Sequence, residues 1–151
     1  ENNPVRALEY ANILKTHPKR SCRKIENPFV IGAVIDLGHC LNPTESKSIN
    51  ILKEGYELLA AVCNESKTPL PQNKGLLRNL DCAVINAIQG VYELSKKPAF
   101  DSVRGLFIEG EKVYPEAGFF KENHIQICVR NPNCIKGYFR VIKPDPAHQI
   151  P

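Results

Sequence analysis

Over residues 123–130 the chain alternates, with His124, Gln126, Cys128 and Arg130 on one side and Ile125, Ile127 and Val129 on the other. Only an extended strand gives side chains a period of two, so this stretch is expected to be a half-buried β-strand with one polar face. The turn-forming run Asn131-Pro132-Asn133, followed by β-prone residues over 134–141, predicts a second strand paired with the first as a hairpin. His124, Gln126 and Arg130 would then project from a rigid element beside the loop 115–123, in which Gly118 precedes Phe119 and Phe120. Such an arrangement suits a polar ligand held beneath a mobile lid. The same pattern also describes an ordinary solvated strand face, and two adjacent phenylalanines equally fit a plug in the core.

The remaining periodicities place the other elements. Residues 29–37 are the most apolar run, short and β-branched, which predicts a central strand covered on both faces; Gly32 marks a close approach or a bend. Thr44 is placed to cap a helix over 44–64, with Ile49, Leu52, Tyr56, Leu59 and Cys63 turned inward. A surface connection over 65–75 leads to a second amphipathic helix over 76–95, with Leu77, Leu80, Val84, Ile88 and Val91 on its inner side. Asp81 and Cys82 have no visible chemical partner within it. At the start, Asn3 and Pro4 read as cap and first residue of a helix, and the absence of Met suggests that Glu1 lies inside a longer protein. Residues 101–114 return to strand character with a turn at Gly110; across that turn Glu109 and Glu111 read as exposed loop charges rather than an acid–base pair. The order helix, strand, helix, helix and then short strands predicts an α+β domain with a mixed or antiparallel sheet. The strands at 29–37 and 124–130 would be central and the two long helices packed on one side.

Composition bounds the function classes. With 151 residues, 42% hydrophobic and 24% charged, the chain can bury one core, so a single domain over 1–141 is expected, with 142–151 as an extended or disordered tail. No run has transmembrane length or signal-peptide pattern, so no membrane partner is expected. A net charge of +4 is too small to require a nucleic acid, although Lys15, Lys19, Arg20, Arg23 and Lys24 cluster. The six cysteines show neither Cys-x-x-Cys nor zinc-finger spacing, which predicts reduced thiols, no metal and a cytoplasmic setting. Cys40, beside His39, is the one cysteine that resembles an activated nucleophile, but neighbours on an extended segment point opposite ways.

The segments 1–11, 30–41, 80–85, 101–105 and 124–132, taken together, resemble a family of mostly uncharacterised bacterial proteins related to ADP-ribosyltransferase toxins, over residues 1 to about 141. The resemblance implies an ADP-ribosyltransferase-like fold, N-terminally incomplete here: Glu1 matches the end of the family's second motif, and part of the nicotinamide-binding apparatus would lie upstream. It also implies NAD as substrate and a toxin-like effector role, with a protein or nucleic-acid acceptor and an antitoxin as partners. The family's third motif, a Glu or Gln on a strand after a substrate-recognition loop, falls on Gln126, with 115–123 as the loop. A carboxylate there would oppose the oxocarbenium-like charge that develops as the nicotinamide bond breaks, whereas a glutamine positions the ribose without charge. From strand geometry, His124 is placed to touch ribose or acceptor and Arg130 a phosphate; if Gln126 holds the ribose, Phe119 or Phe120 of the loop is expected to close over the nicotinamide. Two function classes follow: an NAD-dependent transferase or glycohydrolase, and an inactive binding or regulatory module of the same fold. A nuclease toxin built on the basic cluster would lack paired acid and base groups.

Overall fold

The computed structural model describes residues 4–18, 24–74, 77–121 and 123–141. Asn3, Cys22, most of the basic cluster and the tail 142–151 lie outside the described residues. The elements are α1 (Pro4–Thr16), β1 (Ile31–Ile35), β2 (Cys40–Leu41), α2 (Ser46–Glu65), α3 (Asn79–Leu94), β3 (Ser102–Phe107), β4 (His124–Val129), a 3-10 turn (Pro132–Cys134) and β5 (Ile135–Arg140). The class is α+β, with small antiparallel and mixed sheets. The chain forms two compact units, residues 1–36 with 133–151, and residues 37–132.

In the first unit, α1 begins on Pro4, whose fixed φ favours the first helical position, and has no buried residue. β1 and β5 pair antiparallel from Ile31↔Arg140 to Ile35↔Ile135, with a bulge between Val34 and Ile35. Gly32 faces Phe139, and a Cβ on Gly32 would come within 2.3 Å of the Phe139 ring, so the glycine serves the close approach its sequence position suggests. β1 is not the central, doubly covered strand expected over 29–37. Among the described residues it pairs with β5 alone, and Ile31 and Val34 are more than half exposed. Apolar composition fixed its strand character; the partner comes from a segment about a hundred positions away, which no local pattern encodes.

In the second unit the strand order is β2-β3-β4, with β2 parallel and β4 antiparallel to β3. Among the described residues the 124–130 strand is therefore at an edge, and the expected hairpin between β4 and β5 does not form. The chain leaving β4 is tied back to the start of β3 instead. The Asp101 carbonyl accepts from Arg130 N–H (2.8 Å) and Asn131 N–H (3.0 Å), and the 3-10 turn follows.

The core of this unit is Leu41, Val84, Ile88, Phe100 and Val103, flanked by Ile51, Leu52, Leu59, Leu80, Ile85 and Tyr92. On α2 the expected Leu52 and Leu59 do pack against the core, but the buried residues of the helix are Ser48 and Gly55, and Ile49 and Tyr56 are exposed. A Cβ on Gly55 would lie 2.3 Å from Ile88 Cγ1, so the absence of a side chain is what lets α2 and α3 approach. On α3, Val84, Ile88 and Gln89 are buried, while Leu77, ahead of the helix, is exposed. Gln89 lies in the core because its Oε1 accepts the Phe100 N–H at 3.1 Å.

Helix starts also differ from expectation. Thr44 does not cap α2; it donates from N–H and hydroxyl to Asn42 Oδ1, and Glu45 occupies the cap position. α3 is capped from a distance by Asn73, whose Oδ1 accepts Leu80 N–H at 3.0 Å and whose Nδ2 donates to Asp81 at 2.8 Å. Asp81 thus has a structural partner that the sequence hides.

Candidate functional site

Register decides which side chains share a face. β3 and β4 pair as Val103↔Cys128, Gly105↔Gln126 and Phe107↔His124, and β2 adds Leu41↔Val103. Paired residues project to the same side. One face therefore runs from buried Leu41 and Val103, in the helix-covered core, to Gly105, Phe107, His124 and Gln126 at the other end. The polar residues of β4 thus lie on the face that also carries the core, and not opposite it. The other face carries Ile125, Ile127 and Leu106, and Leu106 is 58% exposed.

At the open end of the core-bearing face, His124 stacks on Phe107, ring centroids 5.7 Å apart and planes 21° from parallel. The Phe107 ring leans back over Gly105, which has no side chain to obstruct it; a Cβ there would lie 2.9 Å from the ring. Gln126 is exposed, and its Nε2 lies 2.7 Å from His124 Nε2. The result is a shelf with an aromatic base, an imidazole on it and an amide at its lip. It can offer hydrogen bonds and an apolar ring surface. Among the described residues of these three strands, no carboxylate lies on this face.

The other expected site residues are placed elsewhere. Arg130 lies just past the end of β4, with Nη1 donating to Asn86 Oδ1 of α3 at 3.3 Å. Phe119 is 66% exposed and Phe120 is half-buried. Their loop folds back on itself: Val113 N–H donates to the Phe119 carbonyl at 3.0 Å, Lys121 N–H to the Glu111 carbonyl at 2.9 Å, and Lys121 pairs with Glu111 at 3.1 Å. Ala117, inside this excursion, is buried. Gly110 turns with φ +79°, as expected for a residue free of Cβ restraint.

A second cluster, not singled out from the sequence, joins the starts of β2 and β3. The Asp101 carboxylate accepts Asn131 Nδ2–H at 2.8 Å and His39 N–H at 2.9 Å, and these two bonds, in that order, hold its pKa below the ordinary aspartate value. His39 stacks on Phe100 at 4.4 Å, and its Nδ1 meets the Ala99 carbonyl at 3.1 Å. Gly38 reaches this cluster with φ +56°, and a Cβ there would lie 2.5 Å from Asp101 Oδ2. The one sequence cue was a glycine before a short strand and an aspartate before another. Cys40 is half-buried, and its pairing with Ser102 puts it on the face away from the core.

The five described cysteines, Cys40, Cys63, Cys82, Cys128 and Cys134, are free thiols. No helix among the described residues is long and apolar enough to cross a membrane. No family model, no curated protein and no solved structure matches this chain.

Proposed function

We propose that the His124–Gln126 shelf is the ligand-binding face of an ADP-ribosyltransferase-like domain that takes NAD as substrate, in a toxin-like effector acting on a macromolecule. The observation that carries this reading is an exposed glutamine amide on an edge strand, directly after a loop that presents Phe119 to solvent. Gln126 would hydrogen-bond the ribose, His124 would approach the ribose or the acceptor, and Phe107 or Phe119 would supply a ring for the nicotinamide. Arg130 would have to leave Asn86 to meet a phosphate. The proposed setting is cytoplasmic, with an antitoxin as partner.

A second reading, a module that binds but does not turn over, is favoured by one observation: the face offers amide and imidazole but no carboxylate among the described strands. Without negative charge, the developing oxocarbenium ion gains little stabilisation.

Calorimetric titration with NAD, alongside a nicotinamide-release assay, separates the two. Binding with release supports the transferase or glycohydrolase, and binding without release supports the inactive module. In a protein that includes the upstream nicotinamide-binding segment, absence of both removes NAD from the reading.

A further inference from the structure

We infer that β1 is a dimerisation edge: a second copy of this chain adds its own β1 antiparallel about Ala33, which joins the two ribbons into one four-stranded sheet. Among the described residues of this unit only Cys134 is buried, and Phe29, Ile31, Val34, Tyr138 and Phe139 are each more than half exposed. A two-stranded ribbon with so little covered surface is marginal alone and gains from further strands. Its two edges differ. β5 carries Lys136 and Arg140, cations of the kind that guard an edge, and pairing about Tyr138 would set Lys136 opposite the second copy's Arg140. Residues 29–35, which include β1, carry no charge, and among the described residues β1 has no strand partner beyond β5. That edge is unguarded.

The strand is complementary to itself. An antiparallel pair about Ala33 sets Ile31 opposite the second copy's Ile35 and Gly32 opposite its Val34, with the side chains of each pair on one face. On one face the Phe139 ring, which leans over Gly32, meets the incoming Val34, while Gly137, in register with Val34, leaves open space beside it. On the other face Ile31 and Ile35 of the two copies meet on either side of the paired Ala33 residues, with Tyr138 flanking. Asp36 comes opposite the second copy's Val30, so no like charges face each other. Such an isologous contact closes at two chains. It covers the strand edge and only part of the exposed side chains, less than the roughly 800 Å² per partner of a standard interface, so the dimer is expected to be weak and concentration-dependent.

Sedimentation velocity of the whole chain over about a hundredfold range of concentration, with hydrogen exchange read at β1, tests this. The expected result is a monomer–dimer equilibrium in which the β1 amides directed away from β5 exchange more slowly as the dimer fills. Ala33 is exposed in the single chain, so Ala33→Lys places two ammonium groups directly opposite each other only in the dimer and should weaken it about fivefold. Mixing Ala33→Lys with Ala33→Glu should restore association as a heterodimer, a rescue that misfolded chains would not show. A monomer at every concentration, or a dimer whose β1 amides exchange as they do in the monomer, overturns the inference. So does a longer protein that stays monomeric with its β1 amides already slow, which would give the edge to the upstream segment. The unsubstituted chain alone decides it if the variants misfold. None of these readouts depends on NAD, so this proposal and the functional one fail separately.

Discussion

His39 and Asp101 are joined twice: the His39 N–H donates to Asp101 Oδ2 at 2.9 Å, and the Asp101 N–H donates to the His39 carbonyl at 2.9 Å. This double link sets the two-residue parallel pairing of β2 with β3, which is too short to align itself.

Acid should loosen it. The Asp101 pKa is depressed in the folded chain, so its carboxylate stabilises the fold above the ordinary value near 4, and that contribution is lost as pH falls through the lower folded value. Urea midpoints measured from about pH 6 down to about pH 2 should therefore fall less steeply in Asp101→Asn than in the unsubstituted chain. Asn131→Ala, which removes the stronger of the two contacts to the carboxylate, should shift the loss toward higher pH. Parallel curves for all three chains would assign the acid sensitivity to other carboxylates.

Gly55→Ala tests the helix seam. Alanine gains about 1 kcal/mol of helix propensity, but the methyl group collides with Ile88 Cγ1, an overpacking of about 1–3 kcal/mol. A net loss of up to about 2 kcal/mol is expected in urea unfolding. In an Ile88→Ala background the collision is gone, and Gly55→Ala should become neutral or stabilising. The same loss in both backgrounds would mean that contact with Ile88 is not its source.

Gln126 carries the proposed chemistry. If the longer protein that includes the upstream segment turns over NAD, Gln126→Ala in it should slow nicotinamide release roughly ten- to a thousandfold, since one hydrogen bond in a closed site contributes about 1.5–4 kcal/mol. Gln126→Glu should preserve or raise the rate, because a carboxylate opposes the charge forming on the ribose. Unchanged turnover in the alanine variant removes Gln126 from the mechanism.

The thiols should react in order of exposure. Cys82 and Cys128 are exposed and Cys134 is buried, so a thiol reagent under native conditions should modify the first two quickly and Cys134 last. After unfolding without reductant, all six cysteines should titrate; two or fewer would indicate disulfides.

The sequence was informative wherever one element suffices to define a pattern. Alternation over 124–129 gave β4 and the shared side of His124 and Gln126, and helical spacing gave α3 with Val84 and Ile88 inside. It misled where small residues carry the contact: Ser48 and Gly55 define the seam of α2, and a hydrophobicity stripe cannot see them. Pairing was illegible because β1 and β5 meet across a long separation, and because Asn131 reads as a turn residue until its bond to Asp101 is known. The Gln126–His124 contact was in reach of strand geometry, whereas the Phe107–His124 stack required the register.

The join between His39 and Asp101 spans 62 positions, whereas α2 and α3 are neighbours in sequence. Closing a long loop costs entropy before any contact rewards it, so the helical pair is expected to assemble early and the β2–β3 clasp late. Substitutions at Gly55 should then act mainly on the folding rate and those at Asp101 mainly on the unfolding rate, the opposite ends of a φ-value scale. The clasp works less as a foundation than as a latch: it sets how long the finished fold persists, and hence how long β4 keeps its partner.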